Sequence, residues 1–161
     1  MKISDALQVV IYPGLALLPK QMSSPAAIVM LLTIGMQESR FIHRRQIGGP
    51  ARGFYQFEKK GGVAGVLLHH HRTSPLIRDA LDRLQYDFDL DTSYNAIEHN
   101  DALATVYARL LLWTLPDTLP QKTNMNDPGN NTLRHGDQGN HIDKLGMNFI
   151  NKHGSFLNNV I

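Results

Sequence analysis

The chain contains no cysteine, which excludes disulfide bonds and thiolate metal sites. Charged residues are also scarce, at 19% of the 161 residues, below the roughly 25% that is typical of globular domains. Lysine and arginine exceed aspartate and glutamate by only two. No basic stripe with interleaved aromatic residues occurs, so we expect no nucleic-acid partner. The mild positive charge suits an anionic polymer without requiring one.

Long uninterrupted apolar runs are absent too. The stretch from Val9 to Leu18 imitates the apolar part of a signal peptide, but Pro13-Gly14 interrupts it and no small-residue cleavage site follows. No run approaches the about 20 residues that a membrane-spanning helix needs. We therefore predict a soluble chain that has no signal peptide of its own and does not insert into a membrane.

Helical periodicity is present over residues 1–121 and predicts a single all-α domain there. The pair Ser24-Pro25 marks a helix start. The helix from Ala26 to about Arg40 is apolar almost all round, so we expect it to be the central buried helix of the fold. A short helix before it is expected to end or kink at Pro13-Gly14.

Three further helices are expected in this domain. They begin near Val63, after the cap signal Thr73-Ser74-Pro75, and after Asn100. The alternating acidic stretch 87–91 favours a loop, and so does the basic, Gly/Pro-rich stretch 43–53.

The composition changes abruptly after Gln121. The first 121 residues contain two asparagines, and the last 40 contain nine. Helical periodicity fades at the same point, so we predict an irregular, Asn-rich tail over residues 122–161.

A single glutamate is the strongest candidate for chemistry. Glu38 stands near the end of the predicted central helix and is followed by Ser39, and Gly53-Phe54-Tyr55-Gln56 follows the basic loop. Burial disfavours an ionised carboxylate, so we expect burial at this helix end to raise the pKa of Glu38. A carboxylic acid that is protonated near neutral pH can donate a proton to a leaving oxygen, as in the cleavage of glycosidic bonds.

These two motifs resemble those of the lysozyme-like lytic transglycosylases and goose-type lysozymes. That superfamily carries Glu-Ser after a helix, matched here by Glu38-Ser39, and Gly-Leu-Met-Gln, matched loosely by Gly53-Phe54-Tyr55-Gln56. A later family helix with an Asn and an Ala/Tyr-rich face is similar to the segment from Asn100 to Leu112. The resemblance covers about residues 23–115, and the chain as a whole most resembles small phage-encoded members.

The resemblance implies a lysozyme-like helical domain that cleaves the β-1,4 bond between N-acetylmuramic acid and N-acetylglucosamine in peptidoglycan. Glu38 would be the general acid and base, no cofactor or metal is implied, and glycan strands are the expected partner. A hydrolase would need a second carboxylate, for which Glu58, Asp87 and Asp89 are candidates. Arg44 and Arg45 are candidates for peptide-stem carboxylates. The expected substrate-binding residues are Ser39, Arg52, Phe54, Tyr55, Gln56 and Tyr107.

Each of these features has a structural alternative. Glu38 can be a solvent-exposed residue paired with Arg40 or Arg45, and Gly53-Phe54-Tyr55-Gln56 can be an aromatic turn that fills the core. The arginines can belong to a solvated loop. The run His69-His70-His71 contains potential ligands, but adjacent residues of a helix point in different directions, so we expect no metal site.

The family's third motif, Ala-Tyr-Asn, is absent after residue 115, and similar phage proteins end with a segment resembling WRPGKPHRQTWDEFY. A one-base shift of the codons allows His135 to His141 to be read as Trp-Arg-Pro-Gly-Lys-Pro-His, and Leu145 to Ile150 as Thr-Trp-Asp-Glu-Phe-Tyr. We interpret the segment after about Asn124 as translated out of frame relative to its relatives, which would remove a closing helix.

The frame hypothesis predicts that one single-base insertion or deletion near codon 124 restores a WRPGKPH-like reading. Sequencing the coding DNA tests this directly. If no such change restores that reading, the hypothesis is wrong.

Two functions therefore remain open from the sequence. The first is a peptidoglycan-cleaving enzyme of a bacteriophage, acting during entry or lysis. The second is a non-catalytic structural or virion-associated protein with a lysozyme-like fold, for which other virion proteins are candidate partners. The expected location is the virion, or the host cytoplasm before release to the periplasm.

Overall fold

The computed structural model describes residues 1–69 and 71–114, and every regular element in these ranges is helical. The all-α class is therefore confirmed for the described part of the chain. Two isolated antiparallel bridges, Arg45 with Arg52 and Arg52 with Phe57, are the β-type pairings found there. The predicted tail 122–161 and residue His70 lie outside the described residues. The α-helices are α1 (Ile3–Ala6), α2 (Tyr12–Leu15), α3 (Pro25–Glu38), α4 (Ser74–Arg83), α5 (Leu90–His99) and α6 (Asp101–Trp113).

The first helical segment was predicted to end or kink at Pro13-Gly14, and its last residue is Leu15, directly after this pair. A π-helical stretch, Leu7–Ile11, joins α1 directly to α2, and Pro13 lies in the first turn of α2. A π-helical turn carries one residue more than an α-turn and shifts the hydrogen-bond register. The shifted register accommodates Pro13, whose ring and missing N–H would disrupt the hydrogen bonds of a continuous α-helix.

Helix α3 begins as the sequence predicts. The Ser24 hydroxyl accepts a hydrogen bond from the Ala27 backbone N–H at 3.2 Å, and Pro25 occupies the first turn. The helix ends at Glu38, because Arg40 and Phe41 adopt left-handed backbone conformations, with φ of 55° and 51°.

The central helix of the described fold is α6 rather than α3. Nine of the 13 residues of α6 are buried, against six of 14 in α3. Helix α6 contacts α2, α3, α4 and α5 as well as three π-helical stretches. The centrality expected for the segment from Ala26 to Arg40 was wrong, because apolar composition alone does not say which of two apolar helices the others surround.

Helix α6 also holds the N-terminal region through a buried arginine. Arg109 is 2% exposed, and its Nε donates to the Met22 carbonyl oxygen at 2.7 Å. Its Nη1 has no hydrogen-bond partner, and burial lowers the pKa of this guanidinium. The contact fixes the short 3₁₀ turn, Lys20–Met22, against α6.

Two helical regions were missed or placed late by the sequence reasoning. Helix α5 lies in part of the stretch predicted as a loop, because the Asp89 carboxylate accepts from the Thr92 N–H at 2.8 Å and caps the helix. The helix predicted from Val63 begins earlier, as the π-helical stretches Lys59–Val63 and Gly65–His69. The helix start predicted at Asn100 is confirmed, since the Asn100 side chain accepts from the Leu103 N–H at 2.9 Å.

No helix in residues 1–69 and 71–114 is long and apolar enough to cross a lipid bilayer. The longest of them, α3, has 14 residues.

Close packing at Gly35 holds helix α3 against the segment that follows it. A Cβ at Gly35 would lie 2.2 Å from the ring of Phe41, which is only 2% exposed. The side chain of Phe41 therefore packs directly on the helix backbone, which is possible only because position 35 has no side chain.

We predict that Gly35→Ala destabilises the protein by about 1–3 kcal/mol, because the new methyl group overpacks a buried ring. Gly65→Ala is the matched control, since a Cβ at Gly65 meets nothing within 4 Å. The control is expected to be neutral or stabilising by about 0.5–1 kcal/mol. Urea unfolding measures both, and equal stability of the two variants would contradict the packing described.

Candidate active site

The hydroxyl group of Ser39 joins the two motifs that the sequence singled out. Its Oγ lies 2.7 Å from the carbonyl oxygen of Phe54 and 3.2 Å from that of Gly35, and it accepts from the Phe41 N–H at 3.1 Å. Ser39 is only 4% exposed. The end of α3 and the turn 53–56 are thus held together by a buried hydrogen-bond centre, and Ser39 acts within the protein rather than at its surface.

Glu38 is the last residue of α3, and its side chain is exposed. The burial expected for Glu38 at this helix end is therefore wrong, although the next residue, Ser39, is buried. Burial in the protein interior therefore does not prepare the Glu38 carboxyl group for proton transfer. Glu38 nevertheless directly precedes Ser39, the residue whose hydroxyl group joins the two motifs.

Backbone strain is concentrated at this junction. Four non-glycine residues in the described ranges have positive φ. Two of them, Arg40 and Phe41, directly follow the first motif, and a third, Gln56, is the last residue of the second motif. The fourth, Gln85, follows α4. A bulky residue such as Phe41 in the left-handed region is unusual. Such residues cost about 1–3 kcal/mol each and are found mainly at functional sites, where the surrounding structure enforces them.

The aromatic residues expected to contact sugar are buried instead. Phe54 and Tyr55 are 2% and 5% exposed, and both rings pack edge-on against Phe41, at 5.5 and 6.2 Å between centroids. The Tyr55 hydroxyl lies 3.2 Å from Thr105 Oγ1 on α6, and burial raises the pKa of Tyr55. The expectation of an aromatic sugar platform is not met, because these rings fill the core between α3 and α6.

Tyr107, the third aromatic residue assigned to substrate, is fully buried in α6. Burial raises its pKa to about 12. Its hydroxyl faces that of Ser93 on α5, but neither group makes a hydrogen bond of good geometry. Tyr107 is therefore a core residue, and its ring packs edge-on against Phe57 at 6.1 Å.

Gln56 lies in the turn and is partly exposed. Its Nε2 donates to the Gly53 carbonyl oxygen at 2.8 Å and lies 3.4 Å from that of His43. The amide thus closes the turn on itself, and the side chain stands in the segment that Ser39 holds against α3.

The loop arginines are paired with carboxylates of the protein. Arg45 makes a bidentate contact with Glu98, with Nη2 to Oε2 at 2.7 Å, and Arg52 Nε lies 3.4 Å from the same oxygen. Arg44 binds Asp101 through both terminal nitrogens. The expected clamp for substrate carboxylates is therefore not open, because Glu98 and Asp101 already occupy these guanidinium groups.

Glu98 and Asp101 were not found by the sequence reasoning. Their partners are 53 and 57 residues away in the chain, and such distant pairs leave no local pattern. One signal was available: Glu98 follows Tyr94 by four residues and so lies on the same face of α5 as a buried ring. The hydrogen bond from Arg45 holds the pKa of Glu98 below its usual range. The positive charges of Arg45 and Arg52 lower this pKa further, by smaller amounts.

The candidate second carboxylates have different surroundings. Asp89 caps α5, and its hydrogen bonds with Thr92 lower its pKa. Glu58 and Asp87 are exposed. Within residues 1–69 and 71–114, no three His, Asp or Glu side chains are grouped closely enough to hold a metal ion.

The chain has no significant match among protein-family models, curated proteins or solved structures. The geometry of the junction between the two motifs therefore carries the functional argument.

We predict that Ser39→Ala destabilises the protein by about 1–3 kcal/mol, because it removes a buried hydroxyl that satisfies backbone groups on both motifs. Ser93→Ala is a matched control: this serine is also buried, but its hydroxyl lacks a well-formed hydrogen bond. Its removal is expected to change stability by less than about 1 kcal/mol. Denaturant unfolding of both variants is the measurement, and a larger loss for Ser93→Ala would overturn this account.

Proposed function

We propose that the protein is a peptidoglycan-cleaving lytic transglycosylase or lysozyme of the lysozyme-like superfamily, with Glu38 as its general acid and base. The observation that carries the proposal is the Ser39 hydroxyl contact with the Phe54 carbonyl oxygen, at 2.7 Å. It brings together the two sequence motifs that resemble the superfamily's active-site motifs. Glu38 is an exposed residue directly before Ser39 in the chain, which is compatible with a polymeric substrate at this position.

The proposed reaction uses one carboxyl group twice. Protonated Glu38 donates its proton to the oxygen that bridges N-acetylmuramic acid and N-acetylglucosamine, and the glycosidic bond breaks. The resulting carboxylate then takes a proton from the C6 hydroxyl of the muramic acid, whose oxygen closes onto C1 to give a 1,6-anhydro product. Since Glu38 is exposed in the free protein, its protonated form would be favoured when a bound glycan strand covers it and excludes water.

Substrate contacts in this proposal differ from those expected from sequence. Gln56 is the remaining polar side chain of the second motif, and it offers an amide beside the junction. Phe54, Tyr55 and Tyr107 would act from the core, by fixing the turn and α6. Arg52 would contribute through the loop that it holds rather than through a free guanidinium group.

A hydrolytic reaction is the variant of this proposal in which water attacks C1. It would require a second carboxylate. Glu58, Asp87 and Asp89 are all exposed residues, but the Asp89 carboxylate caps α5, so Glu58 and Asp87 are the better candidates.

The alternative proposal is a non-catalytic phage structural or virion-associated protein with a lysozyme-like fold. Two observations favour it: the loop arginines are occupied by Glu98 and Asp101, and the aromatic rings of the second motif are buried. Both proposals are compatible with a phage virion, or with host cytoplasm before release to the periplasm, as the location.

We predict that Glu38→Gln lowers the rate of peptidoglycan cleavage by about 10²–10⁴-fold, because the amide cannot transfer the proton. The control is Asp79→Asn, which removes an exposed carboxylate from α4 and is expected to leave the rate unchanged. Zymograms and turbidity loss of purified cell wall measure both. Equal clearing by wild type and Glu38→Gln would remove Glu38 from its role, and no clearing by the wild type would favour the non-catalytic alternative.

Mass spectrometry of the products distinguishes the two chemistries in the same experiment. Anhydro-muropeptides identify a lytic transglycosylase, and products with reducing ends identify a hydrolase.

A further inference from the structure

The loop that leads into the second motif is attached to α5 by one carboxylate. Glu98 is only 8% exposed and contacts Arg45 and Arg52, both of which belong to the loop. His99, its neighbour on α5, lies 3.8 Å away and adds a third positive charge when it is protonated. A single carboxylate is therefore the shared counter-charge of two loop arginines.

The two arginines are also the backbone frame of the turn. Arg45 and Arg52 pair as an antiparallel bridge, and Arg52 pairs in turn with Phe57. The Arg52 N–H donates to the Phe57 carbonyl oxygen at 3.0 Å, and the Phe57 N–H donates to that of Arg52 at 2.9 Å. The turn 53–56, which carries Gln56 and receives the Ser39 hydroxyl contact, is closed by this pair of hydrogen bonds.

A second contact seats the same turn on the same helix. Gly53 has a φ of +72°, and a Cβ there would lie 2.5 Å from the carbonyl oxygen of Ile97, the residue before Glu98. The backbone of the turn thus touches the backbone of α5 one residue away from the carboxylate. Charge pairing and backbone contact converge on one end of α5.

We propose that Glu98 is a positioning residue, whose carboxylate holds the loop from Arg44 to Phe57 against α5 and thereby places Gln56 beside the end of α3. This inference rests on the proposed function for its catalytic consequence, whereas the attachment of the loop can be measured without any activity. Removing the negative charge leaves two guanidinium groups on one face of α5 without their counter-charge, so the loop should open at this end first.

The attachment of the loop to α5 depends on the protonation state of Glu98. The direction of this pH dependence follows from the groups that surround Glu98. Arg45 lowers the pKa of Glu98 most, through its hydrogen bond. Because this carboxyl pKa is lowered in the folded state, its contribution is complete above the ordinary glutamate value of about 4.3 and is lost as the pH falls through the folded-state value. The charged groups around it are Arg45 and Arg52 from the loop and His99 from α5, and the Arg44–Asp101 pair is adjacent. The Tyr94 phenol, which lies near Arg45, donates to the Pro50 carbonyl oxygen.

The test compares full-length wild type with Glu98→Gln, and uses Asp79→Asn on α4 as the control. Amide hydrogen exchange at Arg52 and Phe57 reports the closing hydrogen bonds of the turn. The amides of Ile77 in α4 and of Leu84, the residue after α4, are the reference for the rest of the protein. At about pH 7, we expect the protection of Arg52 and Phe57 in Glu98→Gln to fall by about tenfold relative to wild type, with α4 unchanged. As the pH falls below the ordinary glutamate pKa of about 4.3, the two proteins should approach each other, because wild-type Glu98 loses its charge as the pH falls through its lowered folded-state pKa.

Cleavage of purified peptidoglycan is measured on the same samples. The proposal predicts a lower kcat for Glu98→Gln with a smaller change in KM, since the turn is displaced while the surface that binds glycan persists. Equal protection of Arg52 and Phe57 in both proteins at about pH 7 overturns the proposal whatever the activity. Lost protection with an unchanged kcat overturns the positioning role. A wild type without activity contradicts the proposed function instead, and the exchange data still decide the attachment.

Discussion

The hydroxyl group of Ser39 is the interaction on which the organisation of this site depends. It lies inside the protein, against carbonyl oxygens of Gly35 and Phe54, and accepts from the Phe41 N–H. A serine at this point lets α3 end sharply, because the hydroxyl satisfies backbone groups that the left-handed residues after it leave without helical partners. The end of α3 and the turn of the second motif are therefore one structural unit, although 13 residues lie between Ser39 and Gly53 in the chain.

Charge pairing completes this unit from the other side. Glu98 and Asp101, at the end of α5 and the start of α6, bind the three arginines of the loop. Partly buried charges are tolerated when they are paired and hydrogen-bonded, and leaving one unpaired is costly. The mild net charge of the chain thus conceals a local arrangement in which three positive loop residues pair with two acidic residues from two helices.

The sequence predicted those features that depend on local patterns. The Ser24-Pro25 and Asn100 helix starts are confirmed, because a capping side chain and the backbone it serves are neighbours in the chain. The helix α5 was missed because Asp89 is equally suited to a loop and to a cap. The first helical segment includes Pro13 because a π-helical stretch precedes it, and no local sequence pattern predicts such a stretch.

The sequence was sufficient to select residues of the candidate site. It was not sufficient to predict their burial or their interaction partners. Sequence motifs selected Glu38, Ser39 and Gln56, but the exposure of Glu38 depends on which face of α3 meets α6, and that is a tertiary property. The burial of Phe54 and Tyr55 follows from Phe41, which packs onto Gly35 only because of an unusual backbone conformation. The arginine partners Glu98 and Asp101 come from helices more than 50 residues later in the chain.

The proposed function requires that Glu38 and the turn that Ser39 holds beside it form one face that binds a peptidoglycan strand. The most direct measurement is an NMR titration of ¹⁵N-labelled Glu38→Gln protein, which binds without turnover, with a tetrasaccharide of alternating N-acetylglucosamine and N-acetylmuramic acid. The account predicts that the largest shifts occur at backbone amides of residues 37–44 and at the backbone and side-chain amides of Gln56. Shifts confined to other parts of the protein, or no shifts at millimolar saccharide, would contradict it.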